Sequence, residues 1–117
     1  MSKAKAQGTA LETWVVKALG ALGIKARRIA EGGAKDEGDV EVELDERWVF
    51  ECKSRQTLSV QQALAKARVK AKGAPVALVW KRIVKTGKAV RQPVAGERIV
   101  VIMSWDDFET LLKNGGK

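Results

Sequence analysis

The sequence predicts an α/β protein: a mixed central β-sheet flanked by helices. Three observations predict this class. Apolar residues recur with helical spacing in two separate stretches, acids and aliphatics alternate from Asp39 to Leu44, and residues 75–80 (PVALVW) are apolar at every position. Alternation marks a strand with one buried face, whereas a run apolar on both faces marks a strand inside a sheet. A strand, a helix and a buried strand in that order form a right-handed crossover, which sets residues 48–53 parallel to residues 76–80.

The elements follow in order. Residues 1–7 (MSKAKAQ) are small and cationic and read as a flexible basic arm. Residues 9–22 read as a helix, with Leu11, Val15, Ala18, Leu19 and Leu22 on one stripe and Gly23 as its stop. Residues 24–30 read as a first strand carrying Arg27 and Arg28, and residues 31–38 (EGGAKDEG) as a charged, glycine-rich loop. Val40, Val42 and Leu44 alternate with Asp39, Glu41 and Glu43 in a period-2 strand, residues 45–47 turn, and residues 48–53 return. That turn pairs Leu44 with Trp48. It collects Val40, Val42, Leu44, Trp48, Phe50 and Cys52 on one face and Asp39, Glu41, Glu43, Val49, Glu51 and Lys53 on the other.

Residues 59–72 read as a second helix, with a Ser59–Gln62 capping box and a stripe of Val60, Ala63, Leu64, Ala67 and Ala71. Lys66, Lys70 and Lys72 fall on or near its solvated side. Residues 81–95 form a basic excursion with a hairpin turn at Thr86–Gly87. Residues 98–103 make a last strand, Ser104 caps a short helix over 105–112, and residues 113–117 are a frayed tail. With no internal repeat, the 117 residues read as one domain.

Composition narrows the chemistry. A net charge of +8 points to an anionic partner, nucleic acid first, with plain solubilising charge as the alternative. One cysteine excludes an intrachain disulfide and fits a reducing interior. No apolar run is long enough for a membrane span, and MSKAKAQG lacks the hydrophobic stretch of a signal peptide, so a cytoplasmic protein is expected. The absence of histidine excludes imidazole metal sites and Ser-His or Cys-His nucleophiles. The absence of tyrosine excludes a phosphotyrosyl intermediate. Chemistry on nucleic acid would fall to carboxylates and lysines. Trp14, Trp48, Trp80 and Trp105 sit in apolar contexts and are expected in the core, with base stacking as a second role.

The candidate site is Asp39, Glu51 and Lys53. Residues two apart on a strand share a face, so Glu51 and Lys53 project together while Cys52 points away. Two carboxylates beside an ammonium can hold Mg²⁺ and activate a water against a phosphodiester. The structural alternative makes Asp39 a turn acid and Glu51–Lys53 an ion pair. Glu51 interrupts an apolar run (WVFEC), where a charge needs a partner or a metal. Glu12 reads two ways: as the far end of a Thr9-x-x-Glu12 capping box, or as a carboxylate leaning toward the sheet.

Taken together, Gly8-Thr9-x-x-Glu12, Gly38-Asp39 and Glu51-Cys52-Lys53 resemble the PD-(D/E)XK nuclease superfamily. The order helix, three strands, helix, strands, over about residues 7–103, is most similar to archaeal-type Holliday junction resolvases and their phage relatives. Gly38 stands where the name-giving proline would be. The resemblance implies a restriction-endonuclease-like αβββαβ core and Mg²⁺-dependent cleavage of branched DNA, with Mn²⁺ as a substitute. It implies Asp39 and Glu51 as metal ligands, Lys53 and Glu12 as further catalytic residues, and Gln62 as a supporting residue. DNA contacts are expected from Arg27 and Arg28 and from the excursion residues Lys81, Arg82, Lys85, Lys88 and Arg91. Resolving a junction takes two symmetry-related cuts, so a homodimer is expected, with residues 98–103, Trp105, Phe108 and Leu111 as interface material. A nuclease acting on other DNA structures or ends and a non-catalytic basic DNA-binding module are the competing expectations.

Overall fold

The computed structural model describes residues 3–29, 38–86, 89–91 and 99–115, with side chains over 10–29, 39–83 and 99–113. The elements are α1 (Lys3–Ala21), β1 (Lys25–Arg28), β2 (Gly38–Glu43), β3 (Arg47–Arg55), α2 (Val60–Ala71), β4 (Val76–Arg82), β5 (Val84–Thr86), β6 (Ala89–Arg91), β7 (Val100–Ile102) and α3 (Trp105–Gly115). Five strands form one sheet in the order β1-β2-β3-β4-β7, and β5 pairs with β6 as a separate hairpin. Only the β3–β4 pair is parallel among the described strands, with α2 between them in sequence; the other pairings are antiparallel. The mixed sheet expected from the sequence is therefore present. Among the described residues, no helix is long and apolar enough to cross a membrane.

The period-2 pattern divides the sheet into two working faces. Val40, Val42, Trp48 and Cys52 pack with Leu11 and Val15 of α1. Val49, Val76 and Leu78 pack on the other face with Ala63, Leu64, Ala67 and Ala71 of α2. The small alanines let α2 lie close against the strands. Trp48 is the largest fully buried side chain and meets Phe50 edge to face at 6.3 Å. Trp80 is half-buried, and its indole N–H donates to the Arg55 carbonyl at 2.9 Å. The expectation of four core tryptophans fails at Trp14 and Trp105, which are 51% and 67% exposed. Trp14 follows Leu11 by three residues but overshoots the narrow stripe that Leu11 and Val15 present to the sheet.

The hairpin differs from expectation in register. Glu43 pairs with Arg47 and Val42 with Trp48, so the turn is residues 44–46 rather than 45–47. The turn keeps its length, so every side chain keeps its predicted face. The slip nevertheless changes the partner of each residue: Asp39 stands opposite Glu51 instead of Lys53.

Helix limits also shift. α1 begins at Lys3, so Lys3–Gln7 belongs to the helix rather than to a loose arm, and Thr9 lies inside it instead of capping it. α3 likewise runs on to Gly115, past the expected frayed end. Ser59 is the N-cap of α2 as expected, but its side chain makes no cap hydrogen bond, so the capping box with Gln62 is not formed. Ser104 does cap α3, accepting the Asp107 N–H at 3.2 Å. The buried Asp107 carboxylate accepts the Val76 N–H at 3.1 Å and ties α3 to the start of β4. Residues 30–37, most of the expected glycine-rich loop, lie outside the described residues.

α2 closes through two consecutive left-handed residues, Lys72 (φ 52°) and Gly73 (φ 94°). Glycine adopts this region freely, whereas an L-residue strains by about 1–2 kcal/mol. Lys72→Gly should therefore stabilise the fold by about 0.5–1 kcal/mol, after allowing for the greater freedom of glycine in the unfolded chain. A higher denaturant midpoint at unchanged slope is the expected result; a lower midpoint would contradict it.

Candidate active site

The corrected register places two acids side by side. Asp39 is in β2 and Glu51 in β3, directly paired across the ladder and both on the face covered by α2. Their relative exposures are 3% and 4%. Lys53, two residues further along β3 and also buried, brings its Nζ 3.5 Å from Glu51 Oε1. The expected trio thus shares one face and one neighbourhood.

A fourth member comes from α2. Lys70 Nζ donates to Glu51 Oε1 and Oε2 at 3.1 and 3.2 Å and to Asp39 Oδ1 at 3.3 Å. Lys70, expected on the solvated side of its helix, is instead turned to the acids. A usable signal was present. Lys70 follows Ala63 by seven residues and Ala67 by three, which sets it on the edge of the buried stripe. Facing alanines leave room for a long side chain, and a lysine stem can lie along apolar surface while its ammonium reaches a polar group.

Burial and mutual repulsion split the two acids. Asp39 is raised to about 7, first by burial and then by its hydrogen bond to Glu51 and the Glu51 charge; Lys70 opposes the rise. Burial also pushes Glu51 upward, but the Asp39 hydrogen bond, Lys70 and Lys53 outweigh it and hold Glu51 below its ordinary value. Asp39 is therefore the member that keeps a proton, and Glu51 the one that ionises. Burial works against the Lys70 ammonium, yet the two carboxylates raise its pKa overall. Cys52, pointing to the opposite face, is buried and its thiol is pushed far up, by burial first and then by the charges of Glu12, Asp39 and Glu51. It stays protonated and is no nucleophile.

Glu12 sits on the α1 side. It is buried, and its Oε1 accepts from Arg28 Nε at 3.0 Å. Because Thr9 lies inside α1, the capping-box reading of Glu12 is removed. Its charge reaches Cys52, but no hydrogen bond joins it to Asp39 or Glu51. Gln62 is exposed on the side of α2 away from the stripe, and the structure does not bring it to the cluster.

The expected DNA-binding residues are dispersed. Arg27 donates to Glu41 Oε1 at 2.9 Å and Arg47 to Glu41 Oε2 at 2.6 Å, and these bonds, Arg47 first, lower the Glu41 pKa. Arg27 and Arg28 are thus engaged by carboxylates of this chain. Arg27 keeps a largely exposed side chain on the same sheet face as Asp39. Lys81 and Arg82 close β4, and Lys85 and Arg91 lie in the β5–β6 hairpin, in which Thr86 pairs with Ala89 as part of β5 rather than of the turn expected at Thr86–Gly87. Lys88 lies outside the described residues.

Two carboxylates suit Mg²⁺, which takes one or two from a protein and keeps waters for its other positions. The fit rests on the paired acids, whose oxygens converge on one cation, the Lys70 ammonium. Among the described residues, no group of three or more Asp, Glu, His or Cys side chains is placed to share a metal ion. Comparison with protein-family models, curated proteins and solved structures finds no match for this chain.

The protonation split carries a sign. Asp39 rises from 3.8 to about 7, so the folded protein keeps a proton that the unfolded chain releases between those values. Stability from this group is complete below pH 3.8 and falls as pH rises to about 7. Asn mimics the protonated acid and cannot ionise. The stability of Asp39→Asn relative to wild type should therefore increase from about pH 4 to about pH 7 and level off above. Denaturation across that range checks it, and a flat or shrinking difference would contradict the assignment of the proton to Asp39.

Proposed function

We propose that this chain is a Mg²⁺-dependent endodeoxyribonuclease with a restriction-endonuclease-like core, acting on branched DNA such as four-way junctions. The pairing of buried Asp39 with buried Glu51, beside Lys53, carries this reading. Burying ionisable groups costs several kcal/mol each, and well-packed apolar residues at such positions are often neutral or stabilising. A cluster of this kind is better explained by chemistry than by stability. The element order α1-β1-β2-β3-α2-β4 and the net charge of +8 point the same way.

Asp39 and Glu51 would hold the ion. Bound Mg²⁺ lowers the pKa of a water and offsets charge on the scissile phosphate. Lys53, fixed by its strand next to Glu51, would orient the attacking hydroxide or stabilise negative charge developing on the phosphate. Glu12 pairs with Arg28 on the α1 side, without a hydrogen bond to either acid. Arg27 is the exposed arginine best set to meet a neighbouring phosphate, in exchange for Glu41.

A purely structural ion cluster is the second reading, favoured by Lys70 and Lys53 both touching Glu51. Cleavage separates the two. Asp39→Asn and Glu51→Gln should each reduce Mg²⁺-dependent cutting of a four-way junction by at least about a thousandfold while leaving DNA affinity intact or raised. Lys53→Ala should lose most activity. Near wild-type cutting by either acid variant would refute the site, and no metal-dependent cleavage of any DNA by the wild type would leave the structural cluster. Comparing the junction with its component duplexes tests the branched substrate.

Junction resolution further calls for a homodimer. β7 ends the sheet with Val100 and Val101 exposed, and Trp105, Phe108 and Leu112 expose an apolar stripe on α3. Leu111, expected in this interface, instead packs against the α1-side core. Sedimentation at micromolar concentration should give a dimer that Trp105→Glu and Val101→Lys together convert to a monomer. A wild type that stays monomeric even on junction DNA would refute the resolvase form of the proposal.

A further inference from the structure

We propose that Lys70 is a built-in counter-cation that competes with the divalent ion for Asp39 and Glu51, and that metal binding drives its ammonium out of the site. The inference rests on the metal-centre reading above and adds a residue to which that reading gives no part. Lys70 Nζ lies 3.1–3.3 Å from oxygens of both carboxylates. A Mg²⁺ ion bonded to one of those oxygens at about 2.0–2.1 Å cannot be farther than about 5.4 Å from Nζ in its present place. An ammonium and a divalent cation that close repel strongly in a partly dry site, and they draw on the same negative charge.

The two lysines of the cluster differ in their freedom to respond. Lys53 is anchored within β3 and its side chain is 8% exposed. Lys70 reaches in from the rim of α2 with its side chain 32% exposed, so rotation about its stem carries the ammonium outward without disturbing the sheet. The same motion leaves the cation at the mouth of the site, beside any phosphate approaching the metal. Lys70 thus neutralises the paired acids when they hold no metal and yields them when one arrives.

Isothermal titration with Mg²⁺ in alkaline buffer, where protons compete least, tests this without reference to activity. Lys70→Met keeps the stem and removes the charge, and should bind Mg²⁺ at least about tenfold more tightly than wild type. Lys66→Met, an exposed lysine one turn earlier on α2, should stay within about twofold. In the wild type, acylation of Lys70 by an amine-reactive ester, read by mass spectrometry against Lys66, should increase at saturating Mg²⁺. That measurement decides the matter even if Lys70→Met does not fold. Equal or weaker binding by Lys70→Met, or unchanged Lys70 labelling while wild type binds Mg²⁺, would overturn the competition and leave the metal centre standing. Absence of Mg²⁺ binding in both wild type and Lys70→Met would overturn the metal centre as well.

Discussion

Two carboxylates held opposite each other in a nearly dry space need positive charge close by, and much of this structure follows from meeting that need. Asp39 and Glu51 are adjacent because β2 and β3 pair with Glu43 opposite Arg47. Lys53 answers from the same strand, and Lys70 from the helix packed over it. With one cation moved, the burial that raises Asp39 would act less opposed, and the pair would hold its proton more firmly. Charge balance here depends on α2 lying against the sheet at the right depth, which its alanine stripe permits.

The two faces of the sheet divide the labour. The α1 face carries Trp48, Val40 and Val42 and makes a continuous apolar core. The α2 face is apolar only in part, because Asp39, Glu51 and Lys53 interrupt it. Cys52 lies on the α1 side of the strand that carries Glu51 and Lys53. Small and buried, it lies within the field of the Glu12, Asp39 and Glu51 charges. The Glu12–Arg28 pair lies on the α1 side of the sheet, while Arg27 and Arg47 flank Glu41 on the site's own face. Neighbouring residues of β1 thus serve opposite sides of the sheet, as strand alternation requires.

Metal chemistry at such a site asks for a compromise between affinity and release. Pairing the acids with lysines balances their buried charge but would tax any ion binding there. A lysine buried on a strand and a lysine part-exposed on a helix rim are placed to answer this differently. On the proposed reading the first would stay to act on charge in the reaction, and the second would give way. Both belong to one charged cluster in an otherwise apolar layer.

The sequence by itself determined the class of fold, the faces of the β2–β3 hairpin and the candidate trio, because these depend on local periodicity. A two-residue repeat assigns Asp39, Glu51 and Lys53 to one face whichever of two neighbouring registers forms. Only the tertiary structure decided which residue stands opposite which. Turns of equal length at residues 44–46 and 45–47 preserve the faces, so pattern alone does not separate them. It also decided the fate of isolated charges. The sequence sets Lys70 on the solvated side of its helix and Gln62 in support of the site, yet the docking of α2 turned Lys70 to the acids and Gln62 to solvent. Glu12 lost its capping role because α1 starts upstream of Thr9, where small and cationic residues carry no apolar period. Periodicity records which side of an element is buried; how two elements meet is set by packing between residues far apart in the chain.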